Sequence, residues 1–250
     1  MWVLTFGGRL HTTPLSPNIT SILDVGTGTG LWANAIAHAF PTAEVIATDL
    51  VPPPRKDDTA ANVHYIHHNA DDPEWTRFRD GQFDFIHVRM VTGGIHDWPG
   101  FRKKCFRHLR PGGALEIIDM SHPLRADDEA YDSVDASALV KFVQLAGESW
   151  AQDGLDYKVS GKQTAGLEEA GFEDVEEETY RWPIGTWPED EQEKKLGVLA
   201  QGNMEKFLRL SGRHVLTNKG FLSSEETTGV IAEANEELLK TNERRYYYVM

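Results

Sequence analysis

The first 120 residues alternate between short apolar runs and stretches whose apolar positions recur at helical spacing. This is the pattern of an open, mostly parallel sheet covered by helices. The runs SILDV, AEVIATD, NVHYIH, FDFIHV and ALEIIDM predict strands. Between them LWANAIAHAF predicts a helix ending before Pro41, and WPGFRKKCFRHL a second helix stopped by the PGG that follows. The second half reads differently. Residues 124–170 are acidic and helical in character, and FEDVEEETYRW reads as an extended segment. Helices are expected around 189–211 and 223–240, and the terminal RRYYYVM reads as a last strand. The DDEAYDSVD and EDVEEE runs read as solvated faces, and no internal repeat occurs.

A chain of 250 residues accommodates one large α/β domain. With 40% hydrophobic and 26% charged residues it has the composition of an ordinary globular chain, and no apolar run reaches membrane-spanning length. The opening MWVLTF is too short for a signal peptide and has no basic segment before it. Cys105 is the single cysteine, so no internal disulfide can form. These features set the expectation of a cytoplasmic protein, with a nuclear one as the alternative. Cys105 itself reads as a helix-packing residue. The formal charge of −14 disfavours a nucleic-acid partner, and RKKCFRHLR reads as a solvated amphipathic helix rather than a basic patch. Neither a membrane nor a nucleic acid is expected as partner, and the sequence leaves the oligomeric state open.

The candidate chemistry starts at ILDVGTGTG, residues 22–30. A dinucleotide fingerprint, G-x-G-x-x-G counted from Gly26, would need glycine where Leu31 stands; Gly30 falls one residue early, giving D-x-G-x-G-x-G. Asp24 would repel a pyrophosphate but attract the ammonium or sulfonium of S-adenosylmethionine, so a cationic cofactor is expected. Glycines in the turn permit positive φ and close approach of a ligand to the backbone. Asp49 ends the strand VIATD, where adjacent-strand geometry places an acid beside an adenosine ribose. In HHNADDPEW, after the third strand, Asn69 and Ala70 are the candidates for the adenine edge, with Asp71 a close competitor.

Together these strings resemble the class I S-adenosylmethionine-dependent methyltransferases. ILDVGTGTGLWA, EVIATDL, FDFIHVRM, HDWPGFRKKCFRHLRPGGALE, GLEEAGFEDV and WPIGTWPED are similar, more narrowly, to the LaeA-like methyltransferases of fungal secondary metabolism. The resemblance covers nearly the whole chain. It includes FGGRLHTTPL, which in that family precedes the cofactor strand and helps to close the pocket. It implies a single Rossmann-like α/β domain over residues 1–250. That domain would have a cofactor-binding core at about 18–120 and substrate-lid helices with final strands at about 121–250. The sheet would be seven-stranded and mostly parallel, with the last strand antiparallel. By resemblance Asp24, Gly26, Gly28 and Gly30 line the methionine end, Asp49 the ribose, and Asn69 with Ala70 the adenine. The family tends to carry an acid where Asn69 stands, although an amide still offers an acceptor oxygen.

Methyl transfer from a sulfonium is an in-line displacement that needs alignment and exclusion of water more than catalytic side chains. Ligands sit beyond the carboxyl ends of parallel strands, which makes Arg89, Met90 and His96 pocket candidates, Arg89 on the cofactor side. His96 and His122 are the candidate bases, and Asp97 reads equally well as a helix N-cap. His87, inside a strand, reads as a packed or hydrogen-bonded structural residue. Trp98, Trp150, Trp182 and Trp187 are candidates for an aromatic pocket wall or for plain core. The histidines of HYIHH and SHP lack a matching third ligand, so no metal is expected. The strings of base-flipping amino-methyltransferases, phosphate-cradling hydrolases and serine hydrolases are all absent. The expected function is methyl transfer from S-adenosylmethionine to an oxygen or nitrogen of a small natural product. Two rivals stand beside it. One is a methyltransferase-fold protein that templates a cyclisation or isomerisation, and the other is a regulatory LaeA-like protein acting through partners.

Overall fold

The computed structural model describes residues 1–250 and divides the chain into two compact units. Along the first part of the chain run α1 (Trp2–Thr5), β1 (Ser21–Val25), α2 (Leu31–Ala39), β2 (Glu44–Asp49), β3 (Val63–His67), β4 (Phe83–Arg89), α3 (Trp98–His108) and β5 (Leu109–Ile118). Then follow β6 (Arg125–Ala126), α4 (Ala138–Gln152), α5 (Gln163–Ala170), β7 (Arg181–Pro183) and α6 (Glu191–Lys206). The last elements are α7 (Arg213–Thr217), α8 (Ser224–Leu238), α9 (Thr241–Arg244) and β8 (Tyr246–Val249).

One unit comprises Gly8–Asp119 and Lys162–Glu177. Its sheet is parallel throughout, in the order β3-β2-β1-β4-β5. Both faces are covered, and β1 is accordingly buried at every position. After β1 the chain moves outward to β2 and β3, then returns to the other side of β1 as β4. The reversal opens a crevice outside the carboxyl ends of β1 and β4, the position at which such sheets bind ligands. The helix α2 packs Trp32, Ala33, Ile36 and Ala37 into a core with Ile22, Val45, Val63 and Phe85. The strand β5 starts earlier than expected. PGG does not separate helix from strand but lies within β5, where the register slips from Phe83↔Leu109 to Phe85↔Ala114. Gly112 at φ +76° takes the bend.

The basic helix α3 is only partly solvated, with Lys103 and Arg107 exposed. Arg102 and Lys104 are buried, Arg102 donating to Gln163 Oε1 at 2.9 Å and Lys104 to the Ala70 carbonyl at 3.0 Å. Burial pulls the Lys104 ammonium below its ordinary value, against the pull of the Asp71 carboxylate and its neighbours. Cys105 is fully buried in the same helix and its thiol is pushed up by that burial, which fits a packing residue.

The other unit gathers Met1–Gly7, Met120–Gly161 and Glu178–Met250. Here the seven-strand expectation fails. The main sheet has five strands, and the last strand β8 lies instead at the centre of a separate antiparallel sheet, β6-β8-β7. The burial pattern gives the reason. β8 alternates buried and half-buried positions, as a sheet covered on one face does, whereas β1 is buried throughout. Tyr246, Tyr248 and Met250 enter a core built from α4, α6 and α8. The segment FEDVEEETYRW contributes only its last two residues, Arg181 and Trp182, to strand β7, and its Glu and Asp side chains are exposed. Pro183 sits on the edge strand, where a missing N–H costs no ladder bond.

Helix starts in this unit follow local chemistry. Ser137 accepts from Val140 N at 3.1 Å ahead of α4, Asp190 accepts from Gln192 N and Glu193 N at 2.9 Å ahead of α6, and Ser223 with Glu226 forms a capping box ahead of α8. The buried Glu237 joins three elements. Its Oε2 accepts from Ala138 N at 2.6 Å, and its Oε1 accepts from the Tyr246 hydroxyl and from Arg244 Nη1 at 2.6 Å. Burial pushes the Glu237 carboxyl up, yet the donors from Tyr246, Ser137, Arg244 and Ala138 hold it below its ordinary value.

A carboxyl depressed in the folded state stabilises above its unfolded pKa, and the contribution is lost as pH falls through the folded value. Glu237→Gln should therefore flatten the acid limb of a stability–pH curve from urea denaturation and cost about 1–3 kcal/mol at neutral pH. An unchanged acid limb would show that Glu237 is not the titrating brace.

Candidate active site

The crevice outside β1 and β4 is built by three turns. After β1 the chain takes left-handed conformations at Gly26 (φ +73°), Gly28 (φ +55°) and Gly30 (φ +76°), the last capping α2. Thr27 N donates to the Thr48 carbonyl at 2.8 Å and Gly28 N to Asp49 Oδ2 at 2.8 Å, so the turn is stitched to the end of β2. The other Asp49 oxygen accepts from Val51 N at 3.0 Å. The three glycines are not equivalent. A Cβ at Gly26 would meet Val91 Cγ1 at 2.6 Å and one at Gly30 the Tyr65 ring at 2.8 Å, whereas one at Gly28 would meet nothing within 4 Å. Gly28 is thus the position that leaves room for a ligand.

Asp24, two residues before the turn, is buried. Its Oδ1 lies 2.8 Å from His87 Nδ1 on β4, and its Oδ2 is buried with no hydrogen-bond partner. The far nitrogen of His87, Nε2, is 4.0 Å from Glu116 Oε2 on β5. Asp24, His87 and Glu116 are register partners on three adjacent strands, so one row across the sheet carries carboxylate, imidazole and carboxylate. Glu116 Oε1 accepts from Thr12 N at 2.7 Å, Thr12 Oγ1 at 2.9 Å, Thr13 N at 3.0 Å and Thr13 Oγ1 at 3.2 Å. The Trp32 indole stacks on the His87 ring with centroids 3.6 Å apart and planes 6° from parallel. Arg89 follows at the end of β4. Burial pulls its guanidinium down, and the Asp24 and Glu116 carboxylates oppose that pull. Met90 next to it has φ +57°, a left-handed non-glycine residue at the strand end.

The third turn follows β3. The Asn69 amide is engaged with its own loop, Oδ1 accepting from Asp71 N at 3.1 Å and Nδ2 donating to Asp72 Oδ1 at 3.0 Å. The Ala70 carbonyl accepts from Trp75 Nε1 at 3.1 Å and from Lys104. Asp71 pairs with the loop after β4: Oδ1 accepts from His96 N at 2.9 Å, and Oδ2 lies 2.8 Å from His96 Nδ1. Burial raises the Asp71 carboxyl, but the His96 backbone, the His96 ring and Asp97 N together hold it below its ordinary value. The His96 side chain is half exposed. Asp97 caps α3, Oδ1 accepting from Gly100 N at 2.9 Å.

His122 belongs to the other unit, its ring edge-on to Tyr157 (centroids 5.4 Å) and to Trp150 (centroids 6.1 Å). Burial pushes its imidazole down to about 4. Trp98 and Trp182 are buried core. The structure therefore brings Asp24, Gly26, Gly28, Gly30, Asp49 and Arg89 to one crevice, and Asn69, Ala70, Asp71 and His96 to the loops after β3 and β4. It adds Glu116, which the sequence reading passed over. The signal was there: the strings ILDV, FIHV and LEII each carry a single polar residue among apolar ones.

A family model described as a methyltransferase domain matches residues 9–177, more than half of the chain. The chain belongs to the methyltransferase domain family. It is 32% identical over 197 residues to methyltransferase pytC of Aspergillus terreus, covering 78% of this chain and 59% of that protein. It is 34% identical over 197 residues to the secondary metabolism regulator LAE1 of Cochliobolus heterostrophus, covering 76% of this chain and 62% of that one. The chain thus spans about three fifths of the length of these curated relatives. Among solved structures it is similar to phosphoethanolamine N-methyltransferase 2 of Haemonchus contortus in complex with S-adenosyl-L-methionine. The TM-score is 0.52 and the identity 18%, over 99% of this chain and 50% of that chain. At that identity the likeness is one of fold, the Rossmann-like α/β methyltransferase fold with its parallel central sheet.

The glycine geometry yields a graded expectation. Gly28→Ala meets only the positive-φ penalty and should cost about 1 kcal/mol, while Gly30→Ala must also displace Tyr65 and should cost about 2–3 kcal/mol in urea denaturation. Equal losses would mean that Tyr65 yields freely.

Proposed function

We propose that this methyltransferase-family chain binds S-adenosylmethionine at the β1–α2 turn and directs methyl transfer to an oxygen or nitrogen of a small natural-product acceptor. The observation that carries this reading is Asp24 Oδ2, a buried carboxylate oxygen without a donor beside a turn that is left-handed at three glycines. A buried anionic acceptor is costly until a donor fills it, and an ammonium does so where a phosphate would be repelled. The residues fit the cofactor. Asp24 would hold the ammonium, the Gly26–Gly30 backbone would lie along the amino-acid portion, and Asp49 would accept from the ribose with the lone pairs its two N–H donors leave free. Asn69 and Ala70 would edge the adenine, and Arg89 would stand on the cofactor side of the crevice. When bound, S-adenosylmethionine supplies a methyl group activated by its sulfonium.

Of the two candidate bases, His96 is favoured. Asp71 engages its Nδ1 on a half-exposed ring, the arrangement that orients an imidazole as a proton acceptor through its other nitrogen. His122, with an imidazole pushed down to about 4, is a weak acceptor at neutral pH. The likeness to the regulator LAE1 supports a second reading, in which the acceptor is a protein and the chain acts through partners. Methyl transfer that appears only with a protein partner would favour that reading over the first.

Calorimetry tests the cofactor assignment. Asp24→Ala should weaken S-adenosylmethionine binding by roughly 10–100-fold and Gly28→Val should abolish it, with circular dichroism unchanged. Wild-type affinity in both variants would refute the site. With a panel of phenolic and amine acceptors, His96→Ala should lower kcat by about 100-fold or more at constant cofactor affinity, and His122→Ala should have little effect. The reverse order would move the base to His122.

A further inference from the structure

The row Asp24–His87–Glu116 leaves three buried polar atoms without a hydrogen-bond partner: Asp24 Oδ2, and His87 Nε2 and Glu116 Oε2, which face one another at 4.0 Å. The three side chains are no more than 6% exposed, and His87 is fully buried. Buried polar atoms are ordinarily paired, so three orphans in one row mark a place built for something besides packing. The row also has two distinct ends. At one end Asp24 stands beside the glycine turn. At the other, Glu116 grips Thr12 and Thr13 through four donors to a single oxygen. Residues 8–14 reach the same ring by a second route, because Trp32, stacked on His87, donates from Nε1 to the Leu10 carbonyl at 2.7 Å. His11 extends the segment's own order, its Nδ1 lying 2.7 Å from the Thr13 carbonyl. The charged groups facing His87 are Asp24 from β1, Glu116 from β5 and, in the field of both, Arg89 from β4.

We propose that His87 is a positioning residue that couples ligand occupancy at Asp24 to the seating of the Thr12–Thr13 segment on Glu116. The proposal rests on the reading of Asp24 as the partner of the cofactor's ammonium. Nδ1–H of His87 fixes one oxygen of Asp24 and leaves the other for the ligand. Trp32 fixes the plane of the ring, which allows the imidazole no rotation that would keep both ends in line. A ligand cation that locks Asp24 therefore locks the ring, and the locked ring positions the Glu116 carboxylate that binds Thr12 and Thr13 and, through the stacked Trp32, the indole N–H that binds the Leu10 carbonyl. The segment is held more firmly in its observed seat on Glu116, with no contact between the ligand and Thr12 or Thr13 required.

Two measurements with S-adenosylhomocysteine as probe test this: calorimetric affinity, and hydrogen exchange at the Thr12 and Thr13 amides with and without the probe. In the wild type, saturating probe should slow both amides by about tenfold or more. His87→Phe keeps the stack on Trp32 but neither polar contact. Its probe affinity should fall about tenfold and the slowing should vanish. His87→Asn retains a donor near the Nδ1 position and should recover most of the affinity without the slowing, a split that a packing role alone would not produce. Should His87→Phe fail to fold, Thr12→Val with Thr13→Val, at half-buried positions, should still weaken the probe by several-fold. Binding by the wild type with unchanged exchange at Thr12 and Thr13 overturns the coupling and spares the cofactor site. Unaltered affinity in the double valine variant does the same. Absence of any binding by the wild type overturns both.

Discussion

A carboxylate buried in a parallel sheet is the constraint on which the rest of the parallel unit depends. Both faces of this sheet are covered and β1 is buried at every position, so Asp24 lies out of reach of bulk solvent. Its charge is tolerable because His87 stands opposite in register and donates at 2.8 Å, and because Arg89 lies within its field. That solution commits the neighbouring strands. His87 needs β4 paired to β1 without slippage, and Glu116 needs β5 to come back into register after the bulge at Pro111–Gly113. A slip of one residue would turn the row to the other face and leave each charge alone, which for a buried pair costs about 3–5 kcal/mol. The polar row therefore specifies the alignment of β1, β4 and β5 as firmly as the apolar core around it.

The chemistry available at the crevice follows from the same alignment. Three left-handed glycines let the backbone turn within van der Waals reach of a ligand, but only Gly28 faces open space; Gly26 and Gly30 are required by Val91 and Tyr65 packing behind the turn. Asp49 serves the loop before it serves any ligand, tying Gly28 N to the end of β2. Asp71 and His96 join the loops after β3 and β4, so the wall beyond the parallel strands is held by a carboxylate–imidazole pair of its own. Order in these loops comes from side chains, since no ladder runs through them.

The sequence announced the parallel half well, because its strands are buried on both faces and read as apolar runs bounded by turn residues. SILDV and the helix after it appear almost residue for residue as β1 and α2. The glycine spacing and Asp24 marked the crevice by charge and by steric room, both of which are local properties. What escaped was non-local. Glu116 acquires meaning only when β5 is laid beside β4, and the Asp71–His96 pair joins two loops separated by the whole of β4. The last strand was visible as a strand, but its sheet was not, since β-alternation in YYYV does not say which neighbour it will take. The charged helix α3 misled in a similar way. Arg102 and Lys104 sit on what reads as a solvated face until α5 and the loop after β3 cover them.

The unit that holds β8 is assembled from three separated stretches of chain, and its two extremes meet: the Trp2 ring lies 4.4 Å from that of Trp182, and the final strand is the middle member of its sheet. During synthesis the opening helix consequently emerges long before anything it packs on exists. The parallel unit likewise waits for Lys162–Glu177 to be made. The Trp2 helix therefore stays unpaired until residues 178–250 have been made, an interval in which its exposed aromatic surface invites association with other chains.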